Sequence, residues 1–206
     1  MSDVAPLTLA SRSTVPPCCA DCVFWQSLRA LTDGRRKERW GRALESEFGP
    51  YGRVLHEGER FRGLLQYGPA AAFPRARALP AGPPDPRAAL ITCAWVEGDD
   101  PVGSCERLLL EALADLKARG FGAVEAFALR HPDDVPPSER TAGSHTLFDR
   151  TLLARLGFSP VRSQGQVALM RLPLGGLAES PAQSAPARAR SVLSRLAAAA
   201  GRPAPA

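Results

Sequence analysis

The chain has 206 residues, of which 45% are hydrophobic, and it carries a formal net charge of +5. This length predicts one domain with a sizeable core. No apolar run approaches the roughly 20 residues that span a bilayer, and the amino terminus lacks the basic and then apolar order of a secretory signal, so we expect a cytoplasmic protein without membrane association. Residues 175–206, with four arginines and one glutamate, have a net charge of +3 and so account for most of the net charge of the chain. The remaining charge, without interleaved aromatic and basic residues, does not indicate nucleic-acid binding.

The two ends of the chain differ in composition from the middle. Residues 1–16 are short of large apolar groups, and residues 175–206 are rich in Ala, Pro, Ser and Arg. These patterns predict a disordered amino-terminal segment, a single domain over 17–174 and a flexible tail over 175–206. Within the tail, 187–200 could form a short helix with a small apolar face.

Hydrophobic periodicity predicts an ordered series of elements before the centre of the chain. Residues 22–28 read as a strand or as a turn into a helix, and 36–48 as a helix that ends at Gly49. Two strands, 53–56 and 61–66, follow with a hairpin-like connection. A long proline-rich loop, 69–87, then leads into the central unit.

The central unit, 89–129, reads as strand, glycine turn, helix and strand. The strand 89–96 enters the turn, Cys105 begins the apolar face of a helix that ends at Arg119 and Gly120, and 123–129 follows as a buried strand. Such a turn places unpaired N–H groups and the positive end of the helix dipole where a phosphate can bind. After it we expect a loop over 130–145, a helix over about 146–156, and strands 158–162 and 167–172.

This element order and the sequence Arg155-Leu156-Gly157-Phe158 resemble the GNAT acyltransferases over residues 22–174. The resemblance implies an α/β fold (α+β, with a central mixed sheet flanked by helices) and transfer of an acetyl group from acetyl-CoA to an amine acceptor. A homodimer is also compatible with it. The acceptor would be selected by loops 69–87 and 130–145, which carry no recognisable code.

The cofactor turn of the family implies a set of binding residues in this chain. That turn usually has Gln or Arg, two further residues, Gly, one residue, and Gly or Ala; this frame falls on Asp100, Gly103 and Cys105. The resemblance therefore implies a cofactor site formed by Val96, Gly103, Ser104 and Cys105.

The acidic residues of the turn leave two interpretations open. Asp99 and Asp100 place carboxylates where a pyrophosphate would approach. Asp100 followed by Pro101 is also a good helix start, so its carboxylate could cap the helix and occupy the anion site itself. Alternatively, both acids turn outward and the site still accepts CoA. A chain without CoA binding would be a GNAT-like pseudoenzyme that acts as a regulatory or protein-interaction module.

Catalytic candidates are few. Many family members have a Tyr four residues before the helix-ending glycine, and this chain has Leu153 there. The candidate bases are Glu125, an isolated acid in an apolar strand, and Glu97, at the end of the strand that enters the turn. Each could instead form a structural ion pair.

Three cysteines lie close together in the sequence. Cys18, Cys19 and Cys22 include one Cys-x2-Cys spacing, but a second pair of ligands is missing, so we expect no metal site. A reduced cluster that packs beside Phe24 and Trp25 is the favoured interpretation. A zinc site completed by a distant His such as His56, and a redox role, are the alternatives.

Overall fold

The computed structural model describes residues 2–143 and 145–175. Their strands form one mixed sheet in the order β1-β2-β3-β4-β5-β8-β7, with β6 beside β5. The strands are β1 (Ser2–Pro6), β2 (Gly52–Glu57), β3 (Arg60–Pro69), β4 (Ala89–Val96), β5 (Ala123–Leu129), β6 (Phe148–Asp149), β7 (Ser159–Gln164) and β8 (Val167–Pro173). The helices are α1 (Pro17–Ala20), α2 (Gly34–Phe48), α3 (Pro101–Ala118), α4 (Pro137–Ala142) and α5 (Arg150–Arg155). The predicted mixed α/β fold is confirmed.

The two long helices begin and end where local chemistry dictates. The Asp33 side chain accepts a hydrogen bond from the N–H of Arg36 and caps α2, which ends at Gly49 with a φ of 85°. Asp100 caps α3, and Gly120 follows the helix with a φ of 83°. Both glycines adopt the left-handed backbone conformation that other residues avoid.

Helices cover both faces of the sheet. The apolar residues of α3 and α5 pack on one face and form the largest core cluster, which includes Cys105. On the opposite face, α2 packs against β2 and β3, and the 69–87 loop packs with Trp25 against β4, β5 and β8. None of the described helices is both long and apolar enough to cross a membrane.

The amino-terminal segment belongs to the sheet, so the predicted disorder of residues 1–16 is wrong for its described part. Strand β1 pairs antiparallel with β2, and a 3-10 helix follows at Ala10–Thr14. Leu7 is buried and exchanges backbone hydrogen bonds with Tyr51 and Gly52. Because strand pairing uses backbone groups, a segment with few apolar side chains can still complete a sheet edge. Of the predicted tail, all residues after 175, including 187–200, lie outside the described residues.

Two local predictions differ from the structure. Residues 22–28 form turns with a single bridge between Cys22 and Thr32 rather than a regular strand or helix. The helix predicted over 146–156 is shorter in the structure, because Phe148–Asp149 pairs with β5 and the Asp149 side chain caps α5, which begins at Arg150. Helix α4 within the 130–145 loop was not predicted.

A bulge in β4 opens the centre of the sheet. Leu65 and Tyr67 of β3 oppose Ala94 and Ile91, so β4 has one extra residue at this point. The hydroxyl of Thr92 donates to the carbonyl of Gln66 there, at 3.1 Å. Parallel pairing of β4 with β5 covers only three residue pairs and ends at Ile91 and Ala126. Bulges bend and twist a strand, which explains why β4 diverges from β5 beyond it.

Candidate functional site

The turn before α3 lines an open cavity of about 450 Å³, which we call the turn cavity. Asp100 Oδ1 accepts the N–H of Gly103 at 2.8 Å, and a Cβ atom on Gly103 would lie 2.1 Å from Asp100 Oδ2. The capping carboxylate therefore lies directly over the first turn of the helix. Of the two orientations left open for Asp100, the structure has the capping one.

Acidic and basic side chains both line the turn cavity, and the acidic ones are more numerous. Four carboxylates line it, from Glu57, Glu97, Asp99 and Asp100, against the two guanidinium groups of Arg62 and Arg107. Arg62 Nε donates to Glu57 Oε2 at 2.8 Å and holds the pKa of that carboxyl below its usual value. An approaching pyrophosphate would meet a net negative lining.

The two arginines were missed by the sequence reasoning. Arg107 lies four residues after Gly103, on the same side of α3, so helical spacing could have found it. Arg62 lies on β3, and its neighbour Gly63 pairs with Val96 of β4. Only the strand register brings Arg62 to the turn, and that register is not visible in the sequence.

The predicted cofactor residues occupy different environments. Gly103 and Ser104 line the turn cavity. The side chains of Val96 and Cys105 lie in the core, with 5% and 1% exposure. Burial raises the pKa of the Cys105 thiol to about 12. Val96 and Cys105 can therefore meet a ligand only through their backbone atoms.

The two candidate bases, Glu97 and Glu125, differ in their surroundings and contacts. The carboxylate of Glu97 lines the turn cavity and accepts the indole N–H of Trp95 at 3.0 Å. Glu125 is 1% exposed, and its Oε2 accepts the N–H of Asp85 at 2.8 Å while Oε1 lies 3.2 Å from Arg171 Nη1. Glu125 thus ties the 69–87 loop to β5 and β8. Its contacts are those of the structural ion pair that the sequence left as an alternative.

A segment of the chain itself crosses the gap between β4 and β5. The carbonyl of His145 accepts the N–H of Ala94 at 3.1 Å, while Phe148 and Asp149 pair with the end of β5. The His145 ring stacks on Trp95 with centroids 4.0 Å apart. We call residues 145–149 the bridging segment. In this conformation it takes the hydrogen bonds that the separated strand edges would otherwise offer to a ligand.

The cysteines lie beside a second cavity on the α2 face of the sheet. Cys18, Cys19, Cys22 and Cys93 line it together with Trp25, and all five cysteines of the chain are free thiols. Burial raises the pKa of Cys93 to about 11. Among the described residues, no three His, Cys, Asp or Glu side chains are arranged to hold a metal ion.

Known structures share this fold. An N-acetyltransferase from Staphylococcus aureus Mu50 superposes with a TM-score of 0.54 at 12% identity, over 84% of this chain and 99% of that chain. YncA from Salmonella typhimurium, described as an acetyltransferase and solved with acetyl-CoA, gives a TM-score of 0.56 at 13% identity, over 90% and 99% of the two chains. A Desulfovibrio desulfuricans protein assigned to the GNAT family gives 0.51 at 15% identity, over 85% and 100%.

The similarity is structural only. No protein-family model matches the sequence, and no curated protein matches it in sequence. At these identities the shared architecture shows the GNAT fold and leaves the activity to be inferred from the site.

Proposed function

We propose that this chain, which has the fold of the GNAT N-acetyltransferases, transfers an acetyl group from acetyl-CoA to an amine. The observation that carries the proposal is the opening of β4 from β5 at the bulge, beside the amino terminus of α3. Acetyl-CoA has two parts that the protein must bind. Its thioester-bearing arm needs hydrogen bonds from unpaired strand edges, and its pyrophosphate needs helix N–H groups and cations. Arg62, Arg107 and the N–H of Gly103, once Asp100 releases it, fit the second requirement, and Ser104 can add only its hydroxyl because its N–H donates to the carbonyl of Asp100 at 3.1 Å.

The reaction needs little covalent chemistry from the protein. The amine nitrogen attacks the thioester carbonyl, the carbon–sulfur bond breaks, and the amine loses a proton while CoA leaves as the thiolate and is then protonated. Of the two candidate bases, Glu97 is the one that forms no structural ion pair with a residue that the structure describes. Its carboxylate lines the turn cavity, so it serves as the base only where the amine enters beside that cavity. Leu153 is buried at the position where family members often have a tyrosine, so it supplies no proton to the thiolate.

Binding of the cofactor requires two local movements. The Asp100 carboxylate must leave the first turn of α3, and the bridging segment must release the N–H of Ala94. Each unfavourable charge contact near 4 Å costs about 1–4 kcal/mol at effective dielectric constants of 80 to 20. We therefore expect weak binding of acetyl-CoA by the natural protein.

A second candidate function is favoured by these same obstacles. Asp100 caps the amino terminus of α3, four acids line the turn cavity, and the bridging segment crosses the gap between β4 and β5. A domain with these features can act as a regulatory or protein-interaction module without CoA. The two functions make opposite demands on the turn. The enzyme binds acetyl-CoA both before and after the negative charge of the turn is removed, whereas a module that lost CoA binding through its acidic turn binds it at most after that removal.

The deciding experiment is calorimetric titration with acetyl-CoA. The variant Asp99→Asn with Asp100→Asn keeps a capping side chain but removes both charges, because Asn is as good a cap as Asp. The matched control, Asp133→Asn with Asp134→Asn, removes the same charge from an exposed loop outside the turn.

We expect the turn variant to bind about tenfold to a thousandfold more tightly than the natural protein, and the loop control to match the natural protein. Release of free thiol in the presence of a panel of amines then tests transfer. Absence of binding by the natural protein would rule out the enzyme and favour the module, whether or not the turn variant binds.

A further inference from the structure

The cavity on the α2 face is small and mainly apolar. Its volume is about 230 Å³, below the range of about 300–1,000 Å³ for pockets that hold drug-sized molecules. Leu7, Val15, Leu64 and Trp95 supply apolar wall. Such a space fits a small metabolite.

An ammonium group without an anionic partner lies at this cavity. Lys37 Nζ donates to Gln66 Oε1 at 2.7 Å and lies 4.8 Å from the centroid of the Trp40 ring. Lys37 is partly exposed as a residue, but burial of its ammonium group lowers its pKa. Among the described residues, no carboxylate oxygen lies within 4 Å of Nζ, the distance that defines an ion pair. A desolvated cation without a counter-anion is costly.

The other cation of the cavity is already neutralised. Arg12 lies 2.6 Å from Asp21 and 3.6 Å from Glu38. An anion that entered the cavity would therefore be attracted mainly to Lys37.

Unpartnered donors are concentrated around the same cavity. Six buried side-chain nitrogen or oxygen atoms lack a partner within the described part of the chain, and four of them belong to residues that line this cavity. Three of these are N–H donors: Trp25 Nε1, Gln26 Nε2 and Gln66 Nε2. Because buried donors are normally paired with protein or with ordered water, their clustering indicates that an acceptor from outside the chain occupies this place.

We propose that this cavity binds a small monocarboxylate with an apolar body. Gln66 uses its carbonyl oxygen to orient Lys37, which leaves its amide N–H₂ beside the ammonium group. These two donors form a clamp for the two oxygens of a carboxylate, and the apolar wall covers the rest of the molecule. This site involves neither CoA nor the turn cavity, so binding of a carboxylate there can be tested independently of acetyl transfer.

The test exploits the lysine content of the chain, since Lys37 and Lys117 are its only lysines. Protein labelled with carbon-13 lysine gives two side-chain Cε signals, and Lys117→Arg assigns them. Hexanoate and hexanol are the probes, because they share an apolar body and differ in the anionic head.

We expect saturable movement of the Lys37 signal with hexanoate, a rise of its pKa in the complex, and no change at Lys117. Hexanol should bind about tenfold or more weakly, since a hydrogen bond to a charged group contributes about 1.5–3 kcal/mol. Equal affinity for the two probes, or a Lys37 signal whose chemical shift does not change with hexanoate, would overturn the proposal.

Two variants test the clamp directly by calorimetry. Lys37→Met and Gln66→Leu should each abolish the preference for hexanoate over hexanol, while Lys117→Met keeps it. Preservation of the preference in a folded Lys37→Met protein would place the anion elsewhere and refute the clamp. Should that variant fail to fold, the probe pair and the Lys37 signal of the natural protein decide the question.

Discussion

Glu125 shows how a chemically conspicuous residue can be structural. Its carboxylate joins the N–H of Asp85 to the guanidinium of Arg171 at the base of the 69–87 loop. Arg171 also lies 3.0 Å from Asp85 Oδ2, so removal of one acid does not leave it without an anion. The network holds a proline-rich loop whose regular structure is limited to two short 3-10 helices, Ala70–Ala72 and Pro74–Arg77.

Glu125→Gln should therefore lower the free energy of unfolding without acting on chemistry. We expect a loss of about 1–3 kcal/mol, because one charge-assisted contact is replaced by a mismatched amide. Urea denaturation measures the loss, and Glu59→Gln in the exposed β2–β3 turn is the control. A large fall in any transferase activity at unchanged stability would show that the carboxylate is catalytic after all.

Asp85 gives the same network a dependence on acid. The N–H of Arg87 and the guanidinium of Arg171 hold the pKa of Asp85 at about 2. An unfolded aspartate has a pKa near 3.9, so the stabilisation is complete above about pH 4 and is lost as the pH falls through about 2.

Stability measured against urea between pH 5 and 2 should thus fall less steeply in Asp85→Asn than in the natural protein. Arg171→Met removes one of the groups that lower the pKa of Asp85. In this variant the loss of stability on acidification should therefore begin at a higher pH. Identical pH profiles for the natural protein and Asp85→Asn would show that Asp85 makes no such contribution.

At the scale of elements, the bridging segment decides whether the strand gap is open. Its two ends are held differently: His145 has the hydrogen bond from the N–H of Ala94 and the ring stack on Trp95, whereas Phe148 lies in the main core cluster with 4% exposure and pairs with β5. Parts of a structure with fewer buried contacts open at lower free-energy cost. We therefore expect the His145 end to be released first, without unfolding of the sheet.

His145→Ala should loosen this segment selectively. Loss of a ring stack worth about 0.5–1.5 kcal/mol should lower the exchange protection of the Ala94 amide about two- to tenfold at pH 7. Val124, in the paired part of β5, serves as the internal control. Equal protection of Ala94 in both proteins would mean that the stack does not hold the segment.

Acid should have a similar effect in the natural protein. Burial lowers the pKa of His145, so the neutral ring is favoured in the closed segment. Its stabilisation is present above the usual histidine pKa of about 6.5 and declines below it. The protection factor of Ala94, corrected for intrinsic exchange, should fall with decreasing pH in the natural protein and change less in His145→Ala.

The elements that the sequence predicted are those with a strong internal pattern. Strands β4 and β5 have the predicted bounds, and α3 shows the predicted apolar face, because each is long enough for its periodicity to be read. Helix α4 and strand β6 were missed, since the two residues of β6 carry no period and the six residues of α4 include no large apolar side chain. The bulge opposite Gln66 depends on register between strands, which no single segment encodes.

The candidate sites divide in the same way. Asp100 as a helix cap follows from local sequence, and the structure has that contact. Lys37 lies three residues before Trp40 of the apolar α2 face, so its inward placement could have been inferred from helical spacing. Its approach to Gln66, and that of His145 to Trp95, join elements distant in the chain. Such contacts appear only after the sheet is assembled.

At the scale of the whole molecule, the amino-terminal segment completes both the sheet and one wall of the α2-face cavity. Leu7 is 6% exposed. A Cβ atom on Gly52 of β2 would lie 2.7 Å from Leu7 Cδ2, so the leucine fits against β2 because that position is a glycine. Leu9 adds a hydrogen bond from its N–H to Glu45 Oε2 of α2, at 2.8 Å. Residues 2–9 thereby join β2 to α2.

Deletion of residues 2–9 should therefore destabilise the entire domain. Exposure of one buried leucine costs about 1.5–3 kcal/mol, and each lost hydrogen bond about 1 kcal/mol, so we expect a loss of at least about 3 kcal/mol. For a domain of this size the melting temperature should fall on the order of 10 °C. Asp3→Asn, an exposed change within β1, is the control and should leave the melting temperature unchanged.

The same deletion separates two roles of the segment. It exposes the outer edge of β2, which unpaired strands of other molecules can join, so the truncated protein should also associate at high concentration. Leu7 and Leu9 line the cavity beside Lys37, so hexanoate binding should weaken in the truncated protein even at a temperature where it remains folded. Removal of a paired edge strand with a buried leucine must lower the free energy of unfolding if that strand folds together with the rest of the domain. An unchanged melting temperature of the truncated protein would therefore show that β1 is not part of the cooperative fold.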